Sequence, residues 1–319
     1  MHQDFRQLSW RCFCGCLLLL WLSACSQTRP PAQYHRLIAA GLPAIELTET
    51  PFYPQLQYQC GPAALATVLQ SSGVVSAEPE LLAEQVYLPK RQGSLQAELM
   101  AASRRAERVP YPLSPELEAL VTELHAGHPV LVLKNLGLAR FPRWHYAVVI
   151  GYDPSRQQLL LRSGTEPRQR LSLRRFERSW QLADYWALVV PAAGSLPATA
   201  EPGRYLSAVA QVEQQGRLEL AALSYTAAQQ RWPNDDRVLF ALGNIAYQQA
   251  DFTTAKLHYY RALELAPAEA AYAFNLSWAL LRLGKVPEAL SMAELSAQLA
   301  PEHPRYSQAS VLLQRALSD

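Results

Sequence analysis

The sequence has little net charge, and this excludes one large class of proteins. Its 319 residues carry a formal charge of only +2, and charged side chains occupy 18% of the positions. Nucleic-acid-binding domains need a basic surface, so no nucleic-acid partner is expected. Hydrophobic residues make up 50% of the chain, which is long enough for two domains with separate cores.

Motifs for metals and phosphates are also missing. Outside the N-terminal region the sequence has no closely spaced cysteine pair, and it has no His-Glu-x-x-His run. It has no glycine-rich phosphate loop either. We therefore expect neither a metal ion nor another cofactor.

A long hydrophobic run is lacking as well. The apolar stretch over residues 12–22 is roughly half the ~20 residues that a transmembrane helix needs. It follows Arg6 and Arg11 and ends in Ser23-Ala24, an arrangement typical of a cleaved export signal. The segment Leu22–Cys25 resembles the bacterial lipobox, and this implies a diacylated Cys25. A plain secretory signal and an uncleaved anchor are the alternatives.

We therefore predict a lipoprotein signal peptide over 1–25 and a polar, proline-rich tether over 26–46. The protein is expected in the bacterial cell envelope, held to a membrane by the lipid on Cys25. Ser26, which follows the lipidated cysteine, favours the outer membrane, facing the periplasm. Cys60 is then the one free thiol, and in an exported protein a leftover cysteine is either intermolecular or reactive.

Residues 47–192 are predicted to form an α+β domain, because helical periodicity comes first and short apolar runs bounded by turn residues follow. The predicted helices are Gly61–Leu69, Leu81–Tyr87, Ser94–Arg104 and Ser114–His125. The predicted strands are Pro129–Leu133, Tyr146–Ile150, Leu159–Leu161 and Trp186–Val190.

The C-terminal part repeats with a period of 34 residues. The three ladders are Pro233, Pro267 and Pro301; Ala221, Ala255 and Ala289; and Gly216, Ala250 and Gly284. This period is typical of tetratricopeptide repeats, in which the small residues occupy the turn within each helix pair. We predict a linker over 193–203 and an all-α tetratricopeptide-repeat solenoid over 204–319, with a closing helix.

Cys60 stands at a predicted helix start, where Pro62 costs no hydrogen bond. The free amides and the positive end of the helix dipole favour a thiolate, the nucleophilic form. A thiolate nucleophile needs an imidazole partner. Of the seven histidines, only His145 begins a predicted strand, where a sheet can fix a base.

Three segments together resemble the bacteriocin-processing peptidases, papain-like enzymes that cut leader peptides after a double glycine. They are Gln55…Cys60-Gly61-Pro62-Ala63-Ala64-Leu65, Gly127-His128-Pro129-Val130-Leu131-Val132, and His145-Tyr146-Ala147-Val148-Val149-Ile150-Gly151-Tyr152-Asp153. The resemblance covers about residues 47–190. It implies a cysteine peptidase with Cys60 as nucleophile, His145 as general base and acid, and Gln55 as an oxyanion donor beside the Cys60 N–H.

The Asp-Pro that often supplies a third catalytic residue in this family is missing, and residues 162–165 stand in its place. A hairpin turn at 153–156 pairs Tyr152 with Gln157, and this register sets residue 145 opposite residue 164. We therefore predict that Ser163 steadies His145. Asp153, at about 3.3 Å per residue, would lie some 25 Å away.

The leading hypothesis is a membrane-anchored cysteine peptidase whose repeats recruit a peptide or protein substrate, or a protein partner. A catalytically silent peptide-binding lipoprotein is the second hypothesis. The third is a thiol-dependent acyl transferase or amidase, which would use the same two residues.

Overall fold

The structure is a computed structural model that describes residues 32–54 and 59–318. The first part has six helices in the described residues: α1 (Gln33–Ala39), α2 (Cys60–Ser71), α3 (Pro79–Val86), α4 (Gln96–Arg105), α5 (Leu117–His125) and α6 (Leu173–Gln181). Its strands are β1 (Ile45–Glu46), β2 (Tyr111–Pro112), β3 (Val130–Asn135), β4 (Trp144–Asp153), β5 (Gln158–Ser163), β6 (Glu166–Ser172) and β7 (Ala187–Val189).

These strands form one antiparallel sheet in the order β2-β7-β3-β4-β5-β6, and β1 pairs with the far end of β4. Side chains alternate between its two faces. Tyr146, Val148 and Ile150 belong to the core that contains α2, α3 and α4. Ala147 and Val149 belong to the core that contains α5 and α6. The sheet is thus covered on both sides, as an α+β domain requires.

The predicted α+β class is confirmed, but two details of the sequence analysis are wrong. Tyr152 pairs with Leu159, and Asp153 with Gln158, so the turn lies one residue further along than predicted. The register also shifts between Val149 and Gly151, because β4 contains an irregularity there. In addition, β6 and α6 were not predicted, since the exposed strand β6 carries almost no apolar residues.

The predicted tether is also only partly correct. Residues 33–39 form helix α1, and its Leu37 is fully buried in the core beside α5 and α6. The Glu177 carboxylate on α6 accepts hydrogen bonds from the backbone N–H groups of Gln33 and Tyr34, at 2.8 and 3.1 Å. The folded domain therefore begins well before residue 47.

The second part consists of three antiparallel helix pairs followed by a short helix and a closing helix. The helices are α7 (Pro202–Glu213), α8 (Leu218–Arg231), α9 (Asp236–Gln248), α10 (Phe252–Leu265), α11 (Ala270–Arg282), α12 (Val286–Leu299), α13 (Pro304–Ser307) and α14 (Ala309–Ser318). The turn residues Gly216, Ala250 and Gly284 all have positive φ. This confirms the tetratricopeptide-type fold. In the part of the chain that the structure describes, no helix has the length and hydropathy to span a bilayer.

Candidate active site

Cys60 is the first residue of α2, as its sequence context predicts. The residues that follow it in the first turn, from Gly61 to Ala64, are all buried, so the start of the helix is packed firmly against the sheet. The backbone N–H groups of Tyr146, Gly61 and Cys60 itself stabilise the charged form of the thiol. The nucleophile candidate therefore lies between a helix N-terminus and strand β4.

A cavity of about 640 Å³ opens at the thiol. Leu133, Trp144 and Tyr146 line one side of it, and residues 91–96 line another. Gly61 has to be a glycine here, because a Cβ atom would come within 2.5 Å of the Ser94 hydroxyl oxygen. The cavity is large enough for several residues of an extended peptide.

His145 lies in β4, next to the Tyr146 N–H that faces the thiol. Its Nε2 atom is 2.9 Å from the hydroxyl oxygen of Ser163, a buried residue at the end of β5. Asp153 lies at the other end of β4, where its carboxylate accepts hydrogen bonds from Ser155 and from the Arg156 N–H. Of the two candidates weighed from the sequence, the structure thus brings Ser163, and not Asp153, to the histidine.

The pKa of the Cys60 thiol differs from the one that its sequence context predicts. Burial raises the pKa of Cys60, and the N–H groups of Tyr146 and of the helix start offset this only in part. The sequence predicted a thiolate at this position, because the helix dipole can be inferred from sequence while burial cannot. The resting thiol is therefore neutral at neutral pH.

The imidazole is held neutral too. Burial, together with the charge of Lys134, lowers the pKa of His145 from its ordinary value of 6.5 to about 4. Lys134 is the residue of β3 that pairs with His145, and only 1% of it is exposed. Burial lowers its own pKa to about 8. Lys134 was not predicted as a site residue. The sequence does contain a signal for it, because a lysine directly follows the apolar run Leu131-Val132-Leu133 of a predicted buried strand.

Two predicted residues cannot be placed. Gln55, the predicted oxyanion donor, and Cys25, the predicted lipidation site, lie outside the described residues. Among the described residues no group of three or more His, Cys, Asp or Glu side chains could hold a metal ion.

Comparison with known families supports the assignment of this domain. Residues 47–187 match the model of the Peptidase_C39 like family. For the α+β domain this confirms the family resemblance seen in the sequence. No curated protein matches the sequence.

Solved structures resemble each part of the chain separately. A C39-like peptidase from Bacillus anthracis is 18% identical over 47% of this chain and 98% of its own, with a TM-score of 0.40. The Yersinia enterocolitica type III secretion translocator chaperone SycD is 21% identical over 37% of this chain and 89% of its own, with a TM-score of 0.33. The first tetratricopeptide domain of Spaghetti (RPAP3), solved with an HSP90 peptide, is 17% identical over 37% of this chain and 94% of its own, with a TM-score of 0.34.

Proposed function

We propose that this protein is a membrane-anchored cysteine peptidase in which Cys60 attacks a peptide carbonyl and His145 transfers the proton. The observation that carries the proposal is the thiol at the N-terminus of α2, facing the N–H next to His145 at the edge of a substrate-sized cavity. The match of residues 47–187 to a peptidase family supports it.

The reaction follows from the contacts of His145. With its proton on Nε2 donated to Ser163, the ring has Nδ1 free to take the thiol proton. The sulfur then forms a bond to the carbonyl carbon, and the imidazolium gives the proton to the leaving amine as the C–N bond breaks. Water hydrolyses the resulting thioester and regenerates the thiol. Because both groups start neutral, the proton moves during the attack and not before it.

Gln55 is proposed to donate to the oxyanion, together with the Cys60 N–H. A side-chain amide five residues before the nucleophile supports this role. Removal of one such donor usually costs about 10²–10³ in rate, so Gln55→Ala should lose this much kcat while still binding substrate.

The repeats are proposed to recruit the substrate or a partner as an extended peptide. A groove of about 410 Å³ is lined by the first helices of all three pairs. In this groove Asn244 Oδ1 accepts hydrogen bonds from the Tyr259 hydroxyl and the Asn275 amide, at 2.9 and 2.8 Å. Side-chain amides of this kind suit the backbone of a peptide, and Trp278 and Tyr247 supply aromatic surface beside them.

The anchor is proposed to be a lipid on Cys25, in the outer membrane facing the periplasm. The lipobox-like Leu22–Cys25 supports it. Cys25→Ser should release the protein from the membrane fraction or leave it unprocessed, as fractionation and intact mass will show. Unchanged fractionation and mass would contradict the anchor.

The decisive experiment incubates the wild-type protein and Cys60→Ala with the native envelope fraction and compares the released peptides by mass spectrometry. We expect peptides that appear only with the wild type. An active Cys60→Ala protein would overturn the peptidase assignment. The two proteins should have the same unfolding midpoint, since cysteine to alanine is a small change at a partly buried site.

One observation favours a second function, a silent peptide-binding module. The thiol and imidazole are both neutral, and Ser163 replaces the carboxylate that would stabilise an imidazolium. Labelling of Cys60 by an electrophilic thiol probe separates the two functions. A reactive Cys60 supports catalysis, whereas an inert thiol with retained peptide binding supports the silent module.

A further inference from the structure

The connection between β3 and β4 exposes an unusual amount of apolar surface. We call residues 136–144 the β3–β4 finger. Its large apolar side chains are exposed as follows: Leu136 52%, Leu138 65%, Phe141 70% and Trp144 55%. Single exposed apolar residues are ordinary, but four within nine residues form a patch that water solvates poorly.

The finger is a fixed structure. Buried Asn135 accepts hydrogen bonds from the N–H groups of Gly137 and Arg143, both at 2.9 Å. Leu138 and Phe141 exchange backbone hydrogen bonds of 3.1 and 3.2 Å across the tip. Gly137 lies so close to the Phe141 carbonyl that no Cβ atom would fit. The chain is therefore folded to present Leu138 and Phe141 outward, not to bury them.

Positive charge surrounds this apolar tip. Arg140 and Arg143 are exposed within the finger itself. Residues 137–139 share a cavity with three exposed arginines, which are Arg36, Arg174 and Arg178. The carboxylate in that cavity, Glu177, is mostly buried and engaged with the start of α1. The surface around the finger is consequently cationic.

The first residue that the structure describes, Ala32, lies at the same place. Ala32 lines this cavity together with Gly137, Leu138 and Ala139. Six residues lie between Cys25 and Ala32, and the seven Cα–Cα steps across them reach at most about 25 Å when extended. A lipid on Cys25 would therefore hold this face, and not the far side of the protein, close to the bilayer.

We propose that the β3–β4 finger and the arginines around it form a docking surface for a membrane with anionic headgroups. Aromatic and leucine side chains enter the boundary of the acyl chains, and the arginines bind lipid phosphates. Trp144 also lines the cavity at Cys60, so docking would orient that cavity beside the membrane. The proposal extends the anchor on Cys25 but does not depend on catalysis.

The test uses the full chain with an environment-sensitive fluorescent amino acid in place of Phe141. The matched control carries the same residue in place of Tyr260, an exposed aromatic (55%) on the repeats. Both proteins are mixed with excess vesicles of phosphatidylethanolamine and phosphatidylglycerol that contain a spin-labelled quencher lipid. We expect a blue shift and severalfold stronger quenching at 141 than at 260, whether or not Cys25 is lipidated.

Two further arms test the charge and the lipid. Arg140→Ser/Arg143→Ser, high salt or pure phosphatidylcholine vesicles should each reduce the quenching at 141, because headgroup attraction is screened or removed. The Cys60→Ala background should behave like the wild type, so a loss of the response cannot be confused with a failed peptidase assignment. Water-like emission at 141 on the anionic vesicles, or equal quenching at 141 and 260, would overturn the proposal.

Discussion

At the scale of single residues, the candidate site is defined by what surrounds His145. Ser163 gives the ring a neutral hydrogen-bond partner, and Lys134 places a like charge on the neighbouring strand. Three other charged groups on the elements around β4 are engaged elsewhere. Arg162 on β5 donates to the Thr50 carbonyl, Glu46 on β1 pairs with Arg168, and Glu123 on α5 pairs with His128. Lys134 is thus the charge that acts on the imidazole.

This arrangement predicts the pH dependence of activity. His145 must be neutral to accept the thiol proton, and its pKa of about 4 keeps it neutral above that pH. The acidic limb of kcat/KM should therefore lie near pH 4 and not near the ordinary histidine value of 6.5. Lys134→Met removes the like charge, so the pKa of His145 should rise and the limb should move to higher pH.

Lys134→Arg is the matched control for that measurement, because it keeps the charge and should leave the limb in place. Nuclear magnetic resonance titration of the His145 ring gives the same answer without turnover. A His145 pKa that is equal in the wild type and in Lys134→Met would show that burial alone sets it.

The second prediction concerns the partner of the ring. Ser163→Ala should lower kcat/KM by about fivefold, because it removes one hydrogen bond of roughly 1 kcal/mol that orients the imidazole. Asp153→Asn should change it less than twofold, since Asp153 lies at the hairpin turn and binds Ser155 and Arg156. Kinetics in which Asp153→Asn is crippling and Ser163→Ala is silent would refute this assignment.

At the scale of elements, one of the three turns within the helix pairs has an alanine in a backbone conformation that favours glycine. The three helix pairs turn through Gly216, Ala250 and Gly284, with φ of 76°, 63° and 73°. Glycine adopts this left-handed conformation without cost, whereas alanine pays about 1–2 kcal/mol. The central pair thus carries strain that its neighbours lack.

Ala250→Gly should therefore stabilise the protein by about 1 kcal/mol, as measured by urea unfolding. Gly284→Ala, the reverse change at the equivalent turn, should destabilise it by a similar amount. Nothing lies within 4 Å of a Cβ atom placed on Gly284, so the effect would report backbone conformation and not packing. A destabilising Ala250→Gly, or a Gly284→Ala that leaves the unfolding free energy unchanged, would contradict the explanation.

At the scale of the whole molecule, the two parts share one core. Tyr205 and Val209 of α7 belong to the same buried cluster as Val130 and Val149 of the sheet. Arg204 stacks over the Tyr111 ring at 5.4 Å and donates to the Pro112 carbonyl. The repeats are thus packed on the peptidase-like domain, which fixes where a peptide bound in their groove lies relative to Cys60.

A buried carboxylate holds the junction. Glu123 on α5 is fully buried and accepts hydrogen bonds from the Ala198 and Thr199 N–H groups, the Thr199 hydroxyl and the His128 ring. Glu123→Ala should cost about 3 kcal/mol, because it leaves these buried donors unpaired. From the shared core we expect one calorimetric transition for the wild type and two for Glu123→Ala, while Glu118→Ala, at an exposed position on the same helix, should show neither effect.

Much of the fold could be predicted from the sequence, because its signals are local. The 34-residue ladders fix helix pairs through the positions of Pro267, Ala255 and Gly284, and no distant contact is needed to recognise them. The order of helices before strands likewise gave the α+β class. The predicted hairpin register was wrong by two residues at Tyr152, because the turn lies one residue further along the chain, and by one residue at Val148, beyond the irregularity between Val149 and Gly151.

The sequence by itself determined the helix start at Cys60, the strand that carries His145 and the family resemblance confirmed for residues 47–187. Only the tertiary structure decided the state of the site. The pKa of a thiol or an imidazole depends on burial and on neighbours far away in the chain, such as Lys134, which lies eleven residues before His145 but beside it in the sheet. The exposure of the β3–β4 finger likewise depends on packing, since the sequence of an apolar loop does not show whether its side chains are buried or exposed to solvent.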